Sequence, residues 1–284
     1  MPRRAGVAHS PYFVAMDGYF ASDSMLRRVQ GERVVMISGP RALLMQAAHP
    51  LAVEGLLAHT KGLDDPYKRL ARTAEVMSAI GFDSRERADR MTSRVRKMHA
   101  RVRGELDRDI GPFPAGTPYA ADDPKLLMWV LFTLVDSGIV VYERFVKTMT
   151  DAEREAYWQD FRIVGNLFGL ADSEMPADIA GLDDYRREMY ASGELVVTDW
   201  ARSAAREIVF EPPVPAPFRP LVEAVNFVTV ALLPDVIRNQ YGFSSLPPAP
   251  VRRLAVGAYA EYVKRGVLPF VPGRLRRIPV ARAA

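Results

Sequence analysis

Apolar and polar positions along the chain repeat with the period of an α-helix. Tyr157, Phe161, Val164 and Leu167, for example, follow one another at spacings of three and four residues, which places them on one helix face. Similar stretches recur between proline and glycine residues, and no stretch of the sequence shows the sustained alternation that is typical of a strand. The pattern therefore predicts an all-α fold built of successive helices.

Capping residues mark three helix starts. Asp65-Pro66 and Asp123-Pro124 each place an acidic side chain at the N-cap and a proline in the first turn. Thr150 and Glu153 have the spacing of a capping box, in which each side chain bonds the backbone N–H of the other residue. The predicted helices are 67–80, stopping at Gly81; 125–147; and a helix from Asp151 that ends at Gly169.

Other boundaries follow from glycine and proline. Pro50 lies inside the helical pattern that starts at Gly39-Pro40, so we expect a kink near His49, and Pro234 predicts a second kink. The remaining predictions are a helix from Ser84 to about Gly104, a Gly/Pro-rich loop over 105–122, a helix from Asp183 or Asp184 to Val209, and a proline-rich connector over 212–220.

Length and composition indicate one folded domain. Of the 284 residues, 49% are hydrophobic and 25% charged, which excludes intrinsic disorder and low-complexity structure. We predict a single domain over 1–284, with an N-terminal arm (1–30), a crossing loop at the connector and a basic C-terminal tail (264–284). The absence of cysteine excludes disulfides, thiolate metal sites and cysteine nucleophiles.

The positive charge of the chain is concentrated in the tail. The formal net charge is +4, and the tail holds six Lys or Arg residues and no acid, which leaves −2 for residues 1–263. A nearly neutral body is not typical of a nucleic-acid-binding protein, so we expect no nucleic-acid partner. We expect the tail to wrap over the surface, and weak contact with an anionic membrane or a partner is the alternative.

The sequence predicts neither a signal peptide nor a membrane span. A proline and an acidic residue interrupt the N-terminal region where a signal peptide carries a continuous apolar segment. The most apolar stretch, 126–141, is broken by Asp136, and 227–233 stops at Pro234, so neither reaches the roughly 18–20 apolar residues of a span. We therefore expect a cytoplasmic location. The phosphate-binding GxxxxGK[ST] and GxGxxG motifs and the hydrolase HExxH and GxSxG motifs are also missing from the sequence.

Histidine is the candidate metal and cofactor ligand. His49 lies among apolar residues, where the commoner role is a core imidazole hydrogen-bonded to a carbonyl that the Pro50 kink frees; pocket lining and cofactor contact are the alternatives. His99 lies beside an apolar helix face, where a core residue is again commoner than a ligand. His59 is the third histidine within a helical segment.

Arg69, Arg72 and Thr73 form a second group of candidates. They lie three and four residues apart, with Arg69 and Thr73 on one face of the predicted helix. An arginine and a hydroxyl in this arrangement can bind a propionate, a phosphate or dioxygen, although a surface pair of arginines is the commoner explanation.

Several short motifs follow one another in a consistent order along nearly the whole chain. They are RALLMQAAHP (41–50), His59, DPYKRLART (65–73), MHARVRG (98–104), DDPKLLMWV (122–130), YERF (142–145), DAEREAYW (151–158) and LPDVIRNQYG (233–242). Each motif is weak alone. Together they make the chain resemble the MpaB-like oxygenases, a family that includes the rubber oxygenases, or latex-clearing proteins.

The resemblance implies a helical fold with a globin-like core that holds haem b, with dioxygen as co-substrate. The family's proximal iron ligand is a histidine, matched here by His99, and Arg69 and Thr73 match an arginine and a threonine on the distal side. Arg69 and Thr73 are therefore the candidate catalytic residues. Arg69, Arg72, His49 and His59 join His99 as candidate cofactor-binding residues, and His49 and His59 are the next choices for the iron ligand.

Two positions depart from the family pattern. The rubber oxygenases have a lysine just before the distal threonine, where this chain has Arg72, so control by a lysine does not carry over. Many relatives have a histidine two residues after the tryptophan that matches Trp129, and this chain has Leu131 there. If that histidine orients substrate or dioxygen, the protein binds haem without the usual turnover.

Our leading hypothesis is a haem b-dependent oxygenase that oxygenates or cleaves a C=C bond in a small or medium apolar, isoprenoid-type substrate. The first alternative, favoured by Leu131, is a non-catalytic protein that binds haem or another hydrophobic ligand. The second is a helical binding protein without a metal, in which the histidines are structural. We expect Met45, Met128, Trp129 and Phe132 to be mainly core residues rather than the lining of a substrate channel.

Overall fold

The computed structural model describes residues 18–58, 66–243 and 249–278, and within these ranges most residues are helical. Within these ranges the prediction of an all-α fold is confirmed, with one small sheet and a few 3-10 and π turns between the helices. The helices are α1 (Met25–Gln30), α2 (Ser38–Gln46), α3 (Pro50–Ala58), α4 (Pro66–Phe82), α5 (Arg85–His99), α6 (Pro124–Phe145), α7 (Asp151–Phe168), α8 (Ile179–Ala191), α9 (Asp199–Ala205), α10 (Arg219–Leu232), α11 (Asp235–Gln240), α12 (Ala249–Tyr262) and α13 (Gly273–Arg276).

The small sheet lies where the sequence predicts the end of a helix, up to Gly104, and a loop over 105–122. β1 (Arg103–Glu105) pairs antiparallel with β2 (Pro118–Ala120), and Gly104 lies opposite Tyr119. A Cβ at Gly104 would overlap the Tyr119 hydroxyl, so the glycine is required for this close approach. Each strand has only three residues, which is too short for an alternating pattern to be recognised in the sequence.

Capping residues begin and end the two central helices as predicted. Asp123 caps α6 by accepting a hydrogen bond from the Lys125 N–H at 2.8 Å. The capping box of Thr150 and Glu153 starts α7, and Gly169 ends it with a left-handed φ of 107°.

Three predicted boundaries are wrong. Two of them involve a proline, because the local sequence does not distinguish a kink within a helix from the start of a new helix. Pro50 does not kink a continuous helix: α2 ends at Gln46, and Pro50 opens α3 after a turn, the position where a proline costs no hydrogen bond. Pro234 likewise lies between α10 and α11, which are separate helices. α5 ends at His99, earlier than the predicted end near Gly104.

The prediction of one helix from Asp183 or Asp184 to Val209 is also wrong, because the structure has two separate helices there, α8 and α9. Asp178, which lies upstream, caps α8 by accepting a hydrogen bond from a backbone N–H. An extended segment then separates α8 from α9, and Thr198 caps α9.

α6 is the central helix, and its side chains form the core with α2 and α7. Met45, Met128, Trp129 and Phe132 are at most 3% exposed and belong to the main hydrophobic cluster, so the prediction that they are core residues is confirmed. Within the described ranges, α6 is also the one helix that is long and apolar enough to cross a membrane. Because 72% of its most apolar window is buried inside the protein, it behaves as the core helix of a folded domain.

A buried ion pair joins α2, α6 and the end of α10. The Arg41 guanidinium donates to Asp136 Oδ2 at 2.7 Å, to Ser137 Oγ at 2.6 Å and to the Leu232 carbonyl at 2.8 Å. Both charged side chains are almost completely enclosed. Asp136, which interrupts the apolar pattern of α6 in the sequence, is therefore paired and hydrogen-bonded inside the core.

Because α6 and α7 are in close contact at Gly138, we expect that adding one methyl group there lowers the stability of the protein. A Cβ at Gly138 would overlap the hydroxyl of Tyr157, which is fully buried and accepts a hydrogen bond from Gln30. We expect Gly138→Ala to lower the free energy of unfolding by about 1–3 kcal/mol, although alanine has the higher helix propensity. Urea unfolding measures the change.

The matched control is Gly257→Ala in α12, where the added methyl group would lie 3.9 Å from the nearest heavy atom. This variant is expected to be neutral or slightly stabilising. Equal losses of stability in the two variants would contradict the proposed overlap.

The described part of the basic tail is bound to the body, in agreement with the predicted wrapping over the surface. Arg276 Nε donates to the buried Glu32 carboxylate at 2.8 Å, and the Ile278 N–H donates to the Gly31 carbonyl at 2.8 Å. Lys264 donates to the carbonyl of Glu143 at 2.9 Å. The single-domain organisation over 1–284 stays a prediction.

Candidate functional site

Consecutive helices carry most of the candidate cofactor-binding residues. α4 and α5 pack against each other and are joined by a two-residue turn, in which Ser84 caps α5. Arg69, Arg72 and Thr73 lie in the first turns of α4, and His99 is the last residue of α5. Both sets therefore lie at the ends of the two helices that are remote from the turn.

Residues 71–75 of α4 are not covered by the rest of the protein. Residues 71–75, which include Arg72 and Thr73, are all exposed, whereas Val76 and Ile80 further along are buried. Five consecutive residues point in all directions around a helix, so this stretch is exposed around its whole circumference. The side chain of Arg69 and the whole of His59 lie outside the described residues.

His99 points toward the body of the protein. It shares the inner face of α5 with the buried Ala88 and Thr92, and its imidazole is half-buried. Burial lowers the pKa of His99, and the nearby Asp122 carboxylate opposes this only in part. No residue in the described ranges hydrogen-bonds the imidazole. His99 is therefore a neutral imidazole at neutral pH, the form that binds a metal ion.

His49 is enclosed more completely, with 4% of its surface exposed. Its ring contacts Phe113 at a centroid distance of 5.7 Å, and Nε2 lies 3.8 Å from a carboxylate oxygen of Glu194. Nδ1 has no hydrogen-bond partner among the described atoms. Burial lowers the pKa of His49 to about 4, against an opposing effect of Asp123.

The carbonyl that Pro50 was predicted to free for the His49 ring is not free. The turn between α2 and α3 leaves its carbonyls occupied by backbone N–H groups: Gln46 O accepts from His49 N at 3.1 Å, and Ala48 O accepts from Val196 N at 2.8 Å. His49 is thus a core residue, as its commoner interpretation predicted, but its ring is not anchored as expected.

This burial predicts a pH dependence of stability. His49 binds a proton near pH 6.5 in the unfolded chain but only near pH 4 in the folded protein. Between these values the unfolded state binds more protons, so stability is lost as the pH falls. We expect His49 to account for a loss of about 2 kcal/mol between pH 7.5 and pH 5.

The measurement is urea unfolding of the wild type and of His49→Gln at both pH values. Glutamine does not titrate, and the other acidic and basic groups act equally in both proteins. The variant should therefore lose less stability on acidification than the wild type. Equal losses in the two proteins would show that His49 is not held in its neutral form by burial.

The start of α6 connects the environments of the two histidines. The adjacent carboxylates of Asp122 and Asp123 act on His99 and His49, respectively. Asp122 also pairs with Arg103 at 2.6 Å. The structure thus brings both imidazoles near one helix end, which the distance of 50 residues between them in the sequence does not reveal.

A groove of about 400 Å³ lies on the solvent side of α5 and was not predicted from the sequence. Arg94, Lys97 and Arg101 line it together with Met98, which is exposed. The helical period of 100° per residue places these cations on the side of α5 opposite His99, so the groove is separate from that imidazole. The spacing of three and four residues between the cations is the signal that could have identified it.

The position that departs from the family pattern, Leu131, lies in the apolar core. Leu131 is buried in α6, and its Cδ2 would be 3.0 Å from a Cβ at Gly165 of α7. Its environment is therefore made of packed apolar atoms. Among the residues that the structure describes, no three His, Asp or Glu side chains are grouped closely enough to hold a metal ion without a cofactor.

Comparison with protein families identifies one match. A family model described as the catalytic domain of ER-bound oxygenase mpaB/B' and rubber oxygenase matches residues 26–265, which is most of the chain. Neither the curated proteins nor the solved structures gave a match. The matched range contains every candidate residue of the α4–α5 pair.

Proposed function

Because the chain belongs to the mpaB and rubber oxygenase catalytic-domain family, we propose that it is a haem b-dependent oxygenase with His99 as the proximal iron ligand. The family is one of oxygenases, which implies the use of dioxygen. In this proposal the substrate is a small or medium apolar molecule with a C=C bond, and Arg69 and Thr73 lie on the distal side.

The observation that best supports the proposal is the protonation state of His99, together with the lack of a described hydrogen-bond partner for its ring. Its imidazole is neutral because burial lowers its pKa, and no described residue hydrogen-bonds it. Haem iron needs only one or two ligands from the protein, because the porphyrin supplies four nitrogens. One histidine is therefore enough for this cofactor, whereas a metal ion without a porphyrin requires several side chains.

In this proposal the first turns of α4 would contact the cofactor on its other side. They carry Arg72 and Thr73 on a stretch that is exposed to solvent. An apolar porphyrin face can be covered by the alanines of this stretch, and a guanidinium can pair with a propionate. The distal role of Arg69 stays a prediction from the resemblance, as do cofactor contacts of His59.

Bound haem supplies a redox-active iron that activates dioxygen. The residues of the chain bind and orient the reactants around it. His99 would hold the iron through an imidazole nitrogen, and the nearby Asp122 carboxylate would raise the basicity of that ring. In this proposal the hydroxyl of Thr73 would donate a hydrogen bond to an oxygen on which negative charge develops.

Oxygen uptake by the haem-loaded protein tests the proposal. Cleavage of one C=C bond by one dioxygen gives two carbonyl groups and needs no external electrons. With an isoprenoid alkene such as squalene and ¹⁸O₂, we expect oxygen consumption and one labelled oxygen in each carbonyl product. Haem-loaded protein that consumes no oxygen with any alkene supports the second candidate, a non-catalytic haem-binding protein.

Thr73 offers a more specific test of the same site. We expect Thr73→Val to lower the turnover number by about a hundredfold, because the hydrogen-bond donor is lost, and to leave haem occupancy unchanged. Thr73→Ser keeps the hydroxyl and should retain most of the activity. Equal activity in the valine and serine variants would remove Thr73 from the reaction. A cytoplasmic location and the absence of a nucleic-acid partner stay predictions.

A further inference from the structure

α12 has a second apolar face that the protein does not cover. Its inner face places Val256 and Ala260 in the core. On the outer side, apolar residues recur at helical spacing and are all exposed: Val251, Leu254, Ala255, Ala258 and Tyr262. We call these five residues the outer face of α12; Tyr259 lies at its edge and packs against the buried Phe145. Leu254 has 74% of its surface exposed, which is unusual for a leucine on a helix of apolar composition.

Segments that follow α12 or pack against it also expose apolar side chains. Phe270, which is 80% exposed, lies in the turn that follows α12 along the chain. Phe218 and Leu221 are exposed at the start of α10, a helix that packs against α12. Aromatic and aliphatic side chains are thus presented to solvent by three neighbouring segments.

The charge of residues 249–278 indicates which kind of partner binds the outer face of α12. Residues 249–278 contain seven Lys or Arg residues and one acid, Glu261. Arg274 is exposed, and Arg265 and Arg277 have most of their side chains in solvent although they contact Glu261 and Glu32, respectively. A second copy of the chain would bring the same excess of positive charge to the contact, so self-association is disfavoured. A surface with dense negative charge is favoured.

We propose that the outer face of α12, together with Phe270, binds the surface of an anionic phospholipid bilayer. Leucine, phenylalanine and tyrosine are the side chains that insert at the boundary between headgroups and acyl chains. The exposed arginines pair with lipid phosphates, and each contributes to binding near a charged surface. Neither signal is strong alone, and the combination of apolar insertion with a basic segment is what gives stable peripheral binding.

Co-sedimentation with vesicles tests this proposal. The full-length protein is mixed with vesicles of phosphatidylcholine and phosphatidylglycerol, or of phosphatidylcholine alone. We expect binding to the anionic vesicles that weakens at high salt, and at least tenfold weaker binding to the neutral ones. Leu254→Glu and Tyr262→Glu should each lower the partition coefficient about tenfold or more, because a carboxylate replaces an inserting group.

The control variant is Met98→Glu, which adds the same charge at an exposed apolar residue in the groove of α5. It should bind vesicles like the wild type. Circular dichroism checks that all three variants keep the wild-type helical content.

Four outcomes would overturn the proposal. The first is a wild type that does not bind anionic vesicles, and the second is equal binding to neutral ones. The third is loss of binding in Met98→Glu with retention in Leu254→Glu, which would place the contact at the groove. The fourth is a wild-type dimer in light scattering that Leu254→Glu converts to a monomer, which would identify a second copy as the partner.

Discussion

Replacing His99 with alanine is expected to abolish haem retention and to leave the helical content of the protein unchanged. The imidazole lies at the end of α5 and is only half-buried, so its removal opens little of the core. If His99 is the proximal ligand, as proposed, its loss would remove the bond between the iron and the protein, and the remaining apolar contacts would hold the cofactor only weakly. We expect the affinity for haem to fall by at least about a hundredfold.

The measurement is titration of the purified apoprotein with haemin, followed in the Soret band, with circular dichroism as the check of folding. His49→Gln is the matched control, because it removes a more deeply buried imidazole and should keep the wild-type affinity for haem. Added imidazole should partly restore the spectrum of the alanine variant by occupying the space of the lost ring. Full haem occupancy in His99→Ala would assign the iron ligand to His49 or His59 instead.

Asp136→Ala is expected to cause the largest loss of stability. The substitution leaves the guanidinium of Arg41 inside the core without its countercharge, at a contact where α2, α6 and α10 meet. Removing one partner of a buried ion pair typically costs about 3–5 kcal/mol, a large part of the stability of a folded domain. The midpoint of urea unfolding measures the effect.

Two further variants separate the buried charge from other causes. Glu86→Ala removes the partner of Arg90 in an exposed pair on α5, and the change should be at most about 1 kcal/mol. The double variant Arg41→Met/Asp136→Leu removes both buried charges and should recover much of the stability lost in Asp136→Ala. A double variant no more stable than Asp136→Ala would mean that the pair is needed for its geometry and not for charge balance.

The helices that were predicted correctly are those whose ends are determined by neighbouring residues. Asp123, Thr150 and Gly169 act on backbone groups within a few positions of themselves, so their effect can be read from the sequence. Pro50 has two allowed roles, in a kink or in a first turn, and tertiary packing decides between them. The same limit explains the helix break before Thr198.

The candidate site was predictable only in part, for a similar reason. The sequence identifies His49 and His99 as unusual, but burial by the packed structure lowers their pKa values, and the carboxylates that oppose this effect, Asp123 for His49 and Asp122 for His99, are distant in the sequence. The outer face of α12 was not recognised, because apolar periodicity predicts burial and only the packed structure shows which of two apolar faces is covered.

The visible absorption spectrum of the purified protein, with a pyridine haemochrome assay, tests the central claim most directly. After expression with sufficient iron and haem precursor, we expect a b-type spectrum, about one haem per chain, and changes on reduction and on addition of imidazole or carbon monoxide. A colourless protein that also fails to take up added haemin would contradict the claim, and the chain would then be a helical binding protein that has kept the family's fold without its cofactor.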